Sequence, residues 1–200
     1  MRIGVFGGTF DPPHIGHVLA AVDACEALAL DKLIIVPAAS QPLKSDSPAL
    51  AAPRDRLEMV KRAMGEDKRL EVSAMEIERG GLSYTVDTLE TLARENPGAE
   101  LVLIVGMDTL GTIDKWKNPD RIFQLAKLAV LARSSDRGLA ASGEVSVFMT
   151  RRIDVSSSEI RQRIAEGKSI HGYVAESVET YIASANLYRS ARQPVENPSH

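Results

Sequence analysis

The stretch RIGVFGGTFDPPHIGH, residues 2–17, decides the fold. Residues 2–6 read as a short buried strand, Gly7 and Gly8 end it, and residues 15–30, rich in alanine and leucine, read as a helix. Strand, glycine turn and helix open a βαβ unit. The two prolines at 12 and 13 stiffen the approach, so the helix starts close to His14. His14 and His17 then share one face of its first turn, because residues three apart are neighbours on a helix.

In a doubly wound sheet, ligands bind beyond the carboxyl ends of the strands, where glycine turns let amides approach and a helix start favours negative charge. The turn from Gly7 to Gly16 occupies that position. Its imidazoles can donate to phosphate oxygens, or carry charge when protonated, and Gly16 is expected to leave room for a ligand. Two familiar phosphate signatures are absent: the turn has no G-x-G-x-x-G spacing, and Gly167-Lys168-Ser169 lacks the upstream glycine of a P-loop. A metal pair is a weaker reading, since His171 and His200 lie in a loop and a tail and Cys25 is the single cysteine.

Outward from the turn, KLIIVP at 32–37 is a second strand of the parallel, doubly covered kind. The polar 38–50 is a loop, 54–64 a helix, 70–77 an extended segment, and 85–94 a helix with Val86, Leu89, Leu92 and Ala93 on one face. LVLIV at 101–105 is the most apolar strand candidate, closed by Gly106. A helix around 121–125, a strand at 128–132, a last strand at 145–149 and helices at 157–166 and 175–184 complete the chain.

This alternation predicts an α/β fold, a Rossmann-like doubly wound, mostly parallel sheet with helices on both faces and a small C-terminal helical part. Residues 1–189 are expected to form one domain and the proline-bearing 190–200 a mobile tail. With 200 residues, 44% hydrophobic content and a net charge of -3, the chain has no overall basic field for nucleic acid. No apolar run reaches the roughly 20 residues that span a bilayer. A reducing cytoplasm is the expected setting.

GGTFDPPHIGH resembles, almost letter for letter, the opening motif of bacterial nicotinate-nucleotide adenylyltransferases, within the wider HxGH nucleotidyltransferase superfamily that also holds the class I aminoacyl-tRNA synthetases. Further elements follow in the family's order: Pro42-Leu43-Lys44, Ser83-Tyr84-Thr85, Gly106-Met107-Asp108, Trp116 and Val155-Ser156-Ser157-Ser158-Glu159-Ile160-Arg161. Two positions depart from it. Leu43 stands where a histidine is usual, and Lys117 follows Trp116 where an aromatic residue is common.

The resemblance implies transfer of the adenylyl group of ATP to nicotinate mononucleotide, with Mg²⁺ carried by ATP rather than held by a protein cage. It implies that His14, His17, Lys44 and Arg161 act on the phosphates. Gly7, Gly8, Thr9, Phe10, Gly16, Gly106, Asp108, Ser156 and Ser157 would meet ATP, and Ser83, Tyr84, Thr85 and Trp116 the pyridine nucleotide, Trp116 by stacking. Arg163, by contrast, could pair with Glu159, and Asp87 and Glu90 read as helix-surface acids. A homo-oligomer is compatible with the sequence. Competing readings are a nicotinamide-mononucleotide or dual-specificity transferase, and a nucleotide-sensing module without turnover.

Overall fold

The computed structural model describes residues 1–42, 49–65, 67–132, 145–149 and 153–189. The continuous β-branched runs form strands β1 (Arg2–Gly8), β2 (Lys32–Pro37), β3 (Leu70–Val72), β4 (Glu100–Gly106), β5 (Ala126–Ala132) and β6 (Val145–Met149). They pair in parallel as one sheet of order β3-β2-β1-β4-β5-β6. The central strand β1 sets Val5 against Ile34 of β2 and Leu103 of β4. Strand order reverses between β1 and β4, so a crevice opens there at their carboxyl ends.

Side chains alternate across the strands, and each face has its own apolar layer. On one face Ile3, Val5, Leu103 and Val130 pack against α4 (Thr85–Glu95) and α6 (Pro119–Leu125) through Val86, Leu89, Leu92 and Ile122. On the other, Leu33, Ile35, Val102 and Ile104 meet α1 (Ile15–Ala27) and α2 (Pro53–Met64) through Ala21, Ala24, Cys25, Val60 and Met64. The opposite side of α2 offers Met59 and Ala63 to α7 (Ser157–Ala165) and α8 (Glu176–Ser184), which bury Ile160, Val178 and Ile182. Burying a side chain of this size contributes about 1.5–3 kcal/mol, enough for these few to hold the C-terminal helices against the first half of the chain. The expected Rossmann-like α/β architecture is the observed one.

Two elements differ from their sequence reading. Helix α1 stops at Ala27, not at residue 30, because Ala29 turns left-handed (φ 47). Ala29 N–H then donates to Glu26 O and Leu30 N–H to Cys25 O, the paired bonds of a Schellman stop made without the usual glycine. The segment read as extended over 70–77 is a three-residue strand followed by a short helix, α3 (Met75–Arg79), which ends at left-handed Gly80.

Candidate active site

At the β1–β4 crevice lies a cleft of about 800 Å³. Gly7, Gly8, Thr9 and Phe10 form one rim, and Gly106, at the end of β4 just before the short helix α5 (Met107–Leu110), faces them. The glycine at 8 has a packing reason, since a Cβ there would come within 2.8 Å of the Phe10 ring. Phe10 itself adopts a left-handed backbone (φ 52), and its buried ring meets Phe6 at 5.7 Å and His17 at 5.0 Å edge to face. The turn is thereby folded back on the start of α1.

His14 is the N-cap of α1 and His17 its third residue. The His14 N–H donates to His17 Nδ1 at 3.2 Å, and the two rings lie 3.8 Å apart, centre to centre. Burial lowers the pKa of His14 to about 4. His17 falls further, to about 3, through burial and then the neighbouring His14. Both imidazoles are therefore neutral at pH 7. Because Nδ1 of His17 accepts, its ring proton is on Nε2, and His17 lines the cleft.

His14 stands behind it. The room at Gly16 is taken by this histidine, since a Cβ there would meet two atoms of the His14 ring at 3.0 Å. Neither His14 nor Gly16 lines the cleft, so the expected ligand space at Gly16 is filled by an imidazole.

Helix α7 closes the turn from the far end of the chain. Ser157 Oγ donates to Pro12 O at 2.8 Å, and Arg161 Nη1 donates to Asp11 O at 2.6 Å; both side chains line the cleft. Ser156 does not, its hydroxyl accepting the Glu159 N–H at 3.1 Å as the helix cap. Arg163 does not pair with Glu159. It donates to Ser169 O and lies over the Tyr173 ring.

The opposite wall comes from α3, α4 and the 3₁₀ turn Ile113–Lys115. Ser83, Tyr84, Thr85 and Trp116 line it together. Ser83 also ties this wall to the loop after β2, accepting the Ala39 N–H at 2.9 Å and donating its own N–H to Ser40 O. Tyr84 is the N-cap of α4, so the first N–H groups of that helix have no partner within it. Asp87 and Glu90 form ion pairs with Lys117 and Arg121. Lys44 and its neighbour Leu43 lie outside the described residues, as do the tail 190–200 and the side chain of Asp108.

Comparison with known proteins agrees with this geometry. Residues 5–163 match the family model described as cytidylyltransferase-like. A probable nicotinate-nucleotide adenylyltransferase of Gemmatimonas aurantiaca is 46% identical, the match covering 94% of this chain and 93% of that protein. One from Thermus thermophilus is 42% identical over 94% of this chain and 100% of its own.

The chain belongs to the cytidylyltransferase-like family, and among its members to the nicotinate-nucleotide adenylyltransferases. In fold it is similar to a nicotinic acid mononucleotide adenylyltransferase from Plasmodium falciparum solved with NaAD, with a TM-score of 0.76, 18% identity, and coverage of 94% of this chain and 97% of that one.

The residues that hold the adenylyltransferase turn in place are ones the sequence did not single out. The Asp11 carboxylate, 4% exposed, accepts the N–H groups of Leu50 and Ala51 at 2.8 and 3.1 Å and the Tyr188 hydroxyl at 2.7 Å. Arg161 Nη1 lies 3.8 Å from Asp11 Oδ2, the oxygen that accepts the Leu50 N–H. Arg56, 1% exposed, donates to Thr9 O, Ala39 O and Ala51 O at 2.7, 2.9 and 3.3 Å. One guanidinium thus joins the motif turn to Ala39 and Ala51, on either side in sequence of Lys44. A signal for it existed: Arg56 stands on the buried stripe of α2 with Met59, Val60, Ala63 and Met64, where the helical period requires an apolar residue.

Among the described residues no three His, Cys, Asp or Glu side chains form a metal site. No helix among them is long and apolar enough to cross a membrane.

Proposed function

We propose that this chain joins ATP and nicotinate mononucleotide in that cleft, giving nicotinate adenine dinucleotide and pyrophosphate in NAD biosynthesis. The observation that carries the reading is that one cleft holds both the Gly7–Phe10 turn with His17 and Arg161 and the wall of Tyr84, Thr85 and Trp116, in a chain 46% identical to a probable nicotinate-nucleotide adenylyltransferase.

In the reaction, an oxygen of the mononucleotide 5′-phosphate attacks the α-phosphorus of ATP in line. The bond from that phosphorus to the bridging oxygen breaks, and pyrophosphate leaves with the electron pair. The nucleophile is already an anion, so the protein's work is alignment and charge stabilisation. His17 donates through Nε2–H, and His14 orients it. Arg161 and Lys44 supply the positive charge, and the backbone of Gly7, Gly8, Thr9, Phe10 and Gly106 accommodates the adenylate, with Asp108 receiving its ribose and Ser157 at the start of α7.

Thr9 Oγ1, on the glycine rim of the cleft, is buried without a protein partner, and a polar atom so placed calls for an explanation of the kind a phosphate ligand gives. The divalent cation of the substrate, Mg²⁺, would be held by ATP phosphate oxygens, which suits a site of imidazole and backbone donors. On the other wall the pyridine stacks on Trp116, and its carboxylate meets the Thr85 end of α4, framed by Ser83 and Tyr84. We further place the activity in a single domain over 1–189, in the cytoplasm.

Pyrophosphate release from ATP with each mononucleotide, with and without Mg²⁺, tests the reading. Turnover with the acid, dependent on Mg²⁺, is expected. A clear preference for nicotinamide mononucleotide refutes the substrate assignment, and absence of turnover with both refutes the reaction.

A further inference from the structure

Beside Trp116, on the wall that would take the pyridine, the cleft carries a cation to which the reaction above gives no task. Lys117 lines the cleft, and its Nζ stands 4.6 Å from the centre of the Tyr84 ring. The same ammonium lies 2.9 and 3.1 Å from the two carboxylate oxygens of Asp87. The pair is open to water, with side chains 49% and 33% exposed, and ion pairs of that exposure add little to folding. Its effect is on the charge of the wall.

The nearby carboxylate of Glu76 is already engaged, accepting the Thr88 hydroxyl at 2.6 Å. An ammonium has three donors and a mobile stem. Lys117 can therefore turn from Asp87 toward an anion in the cleft.

We propose that Lys117 is a specificity-determining residue, whose ammonium favours a mononucleotide with a carboxylate on its pyridine ring over one with a neutral carboxamide, and that Asp87 competes with that carboxylate for the ammonium. The inference rests on the adenylyl transfer proposed above. A carboxylate and a carboxamide have nearly the same shape, so hydrophobic and stacking contacts separate them poorly, whereas a cation separates them by charge. Asp87 works against that preference by competing for the ammonium, so the two residues have opposite effects on selectivity.

The test is kcat/KM for nicotinate and nicotinamide mononucleotides at saturating ATP, in wild type, Lys117→Met, Lys117→Arg and Asp87→Asn. Lys117→Met is expected to lower the value for the acid roughly fivefold, through KM, and to leave the amide within about twofold. Lys117→Arg keeps the wild-type preference, and Asp87→Asn raises it by about twofold or more. Equal losses on both substrates in Lys117→Met make the residue a support for Tyr84 and overturn the proposal. So does an unchanged ratio, or a lowered preference in Asp87→Asn. A wild-type enzyme that uses neither mononucleotide overturns the transfer reaction itself, and this inference with it.

Discussion

Substitution of His17 by glutamine distinguishes a neutral hydrogen-bond donor from a charged one at the centre of the site. Nδ1 of His17 accepts the His14 N–H at 3.2 Å, so the neutral ring can donate only from Nε2. Burial and the adjacent imidazole hold its pKa at about 3. At pH 7 about one ring in 10⁴ is then protonated, and moving the pKa up to 7 in the complex would take about 5 kcal/mol of differential interaction with phosphate. The wild-type kcat/KM, which reports ionisations of the free enzyme and substrate, is therefore expected not to rise between pH 8 and 6.5. The second ionisation of the substrate phosphate, near pH 6, can only lower it. Glutamine places an amide N–H near the Nε2 position and retains part of the activity, while His17→Ala lowers turnover by about 10² or more, the usual effect of deleting a preorganised donor. Pyrophosphate release across this pH range, with folding checked by circular dichroism, gives the answer. A wild-type rate that climbs as pH falls toward 6.5, with the climb missing in His17→Gln, refutes the neutral donor.

Gly16→Ala puts a Cβ 3.0 Å from two atoms of the His14 ring; turnover should fall about tenfold through displacement of the histidine pair with melting little changed, and full activity would show that His14 has no fixed place. Tyr188→Phe removes the 2.7 Å bond to buried Asp11, a loss of about 2 kcal/mol; thermal unfolding should shift down by about 4–8 °C, and an unchanged midpoint counts against the network. The histidine pair also predicts acid sensitivity. Folded pKa values of about 4 and 3 lie below the unfolded value near 6.5, so the unfolded chain binds the extra protons. Stability from these residues is intact above pH 6.5 and is lost as pH falls from there toward 4 and then 3. Urea unfolding at pH 7.5 and 5 should show a smaller acid loss in His17→Gln than in wild type, and equal losses would contradict the burial argument.

The strands were legible because parallel strands covered on both faces must be apolar throughout, and KLIIVP and LVLIV have no other economical reading. The motif turn was legible because glycine, proline and histidine restrict backbone and chemistry in ways single letters reveal. The end of α1 was not, since Ala29 takes the left-handed place without the glycine that marks it. Helix α3 was hidden for another reason, its five residues giving too short a window for a helical period to differ from an extended one.

At the site the limit has a different cause. The residues facing the cleft have side chains whose types announce their chemistry. The groups that fix those side chains are largely backbone: carbonyls of Thr9, Ala39 and Ala51 under Arg56, amides of Leu50 and Ala51 on Asp11, and carbonyls of Asp11 and Pro12 under α7. Every residue has such groups, so no letter marks which are used. What the sequence does record is the other half of each bond, a polar residue where the period demands an apolar one. Arg56 on the stripe of Met59, Val60 and Ala63 is such a mark, because a guanidinium is buried only where acceptors surround it. Its presence in that stripe already requires nearby carbonyls from chain outside α2, and the loops on either side of the cleft are the segments that supply them.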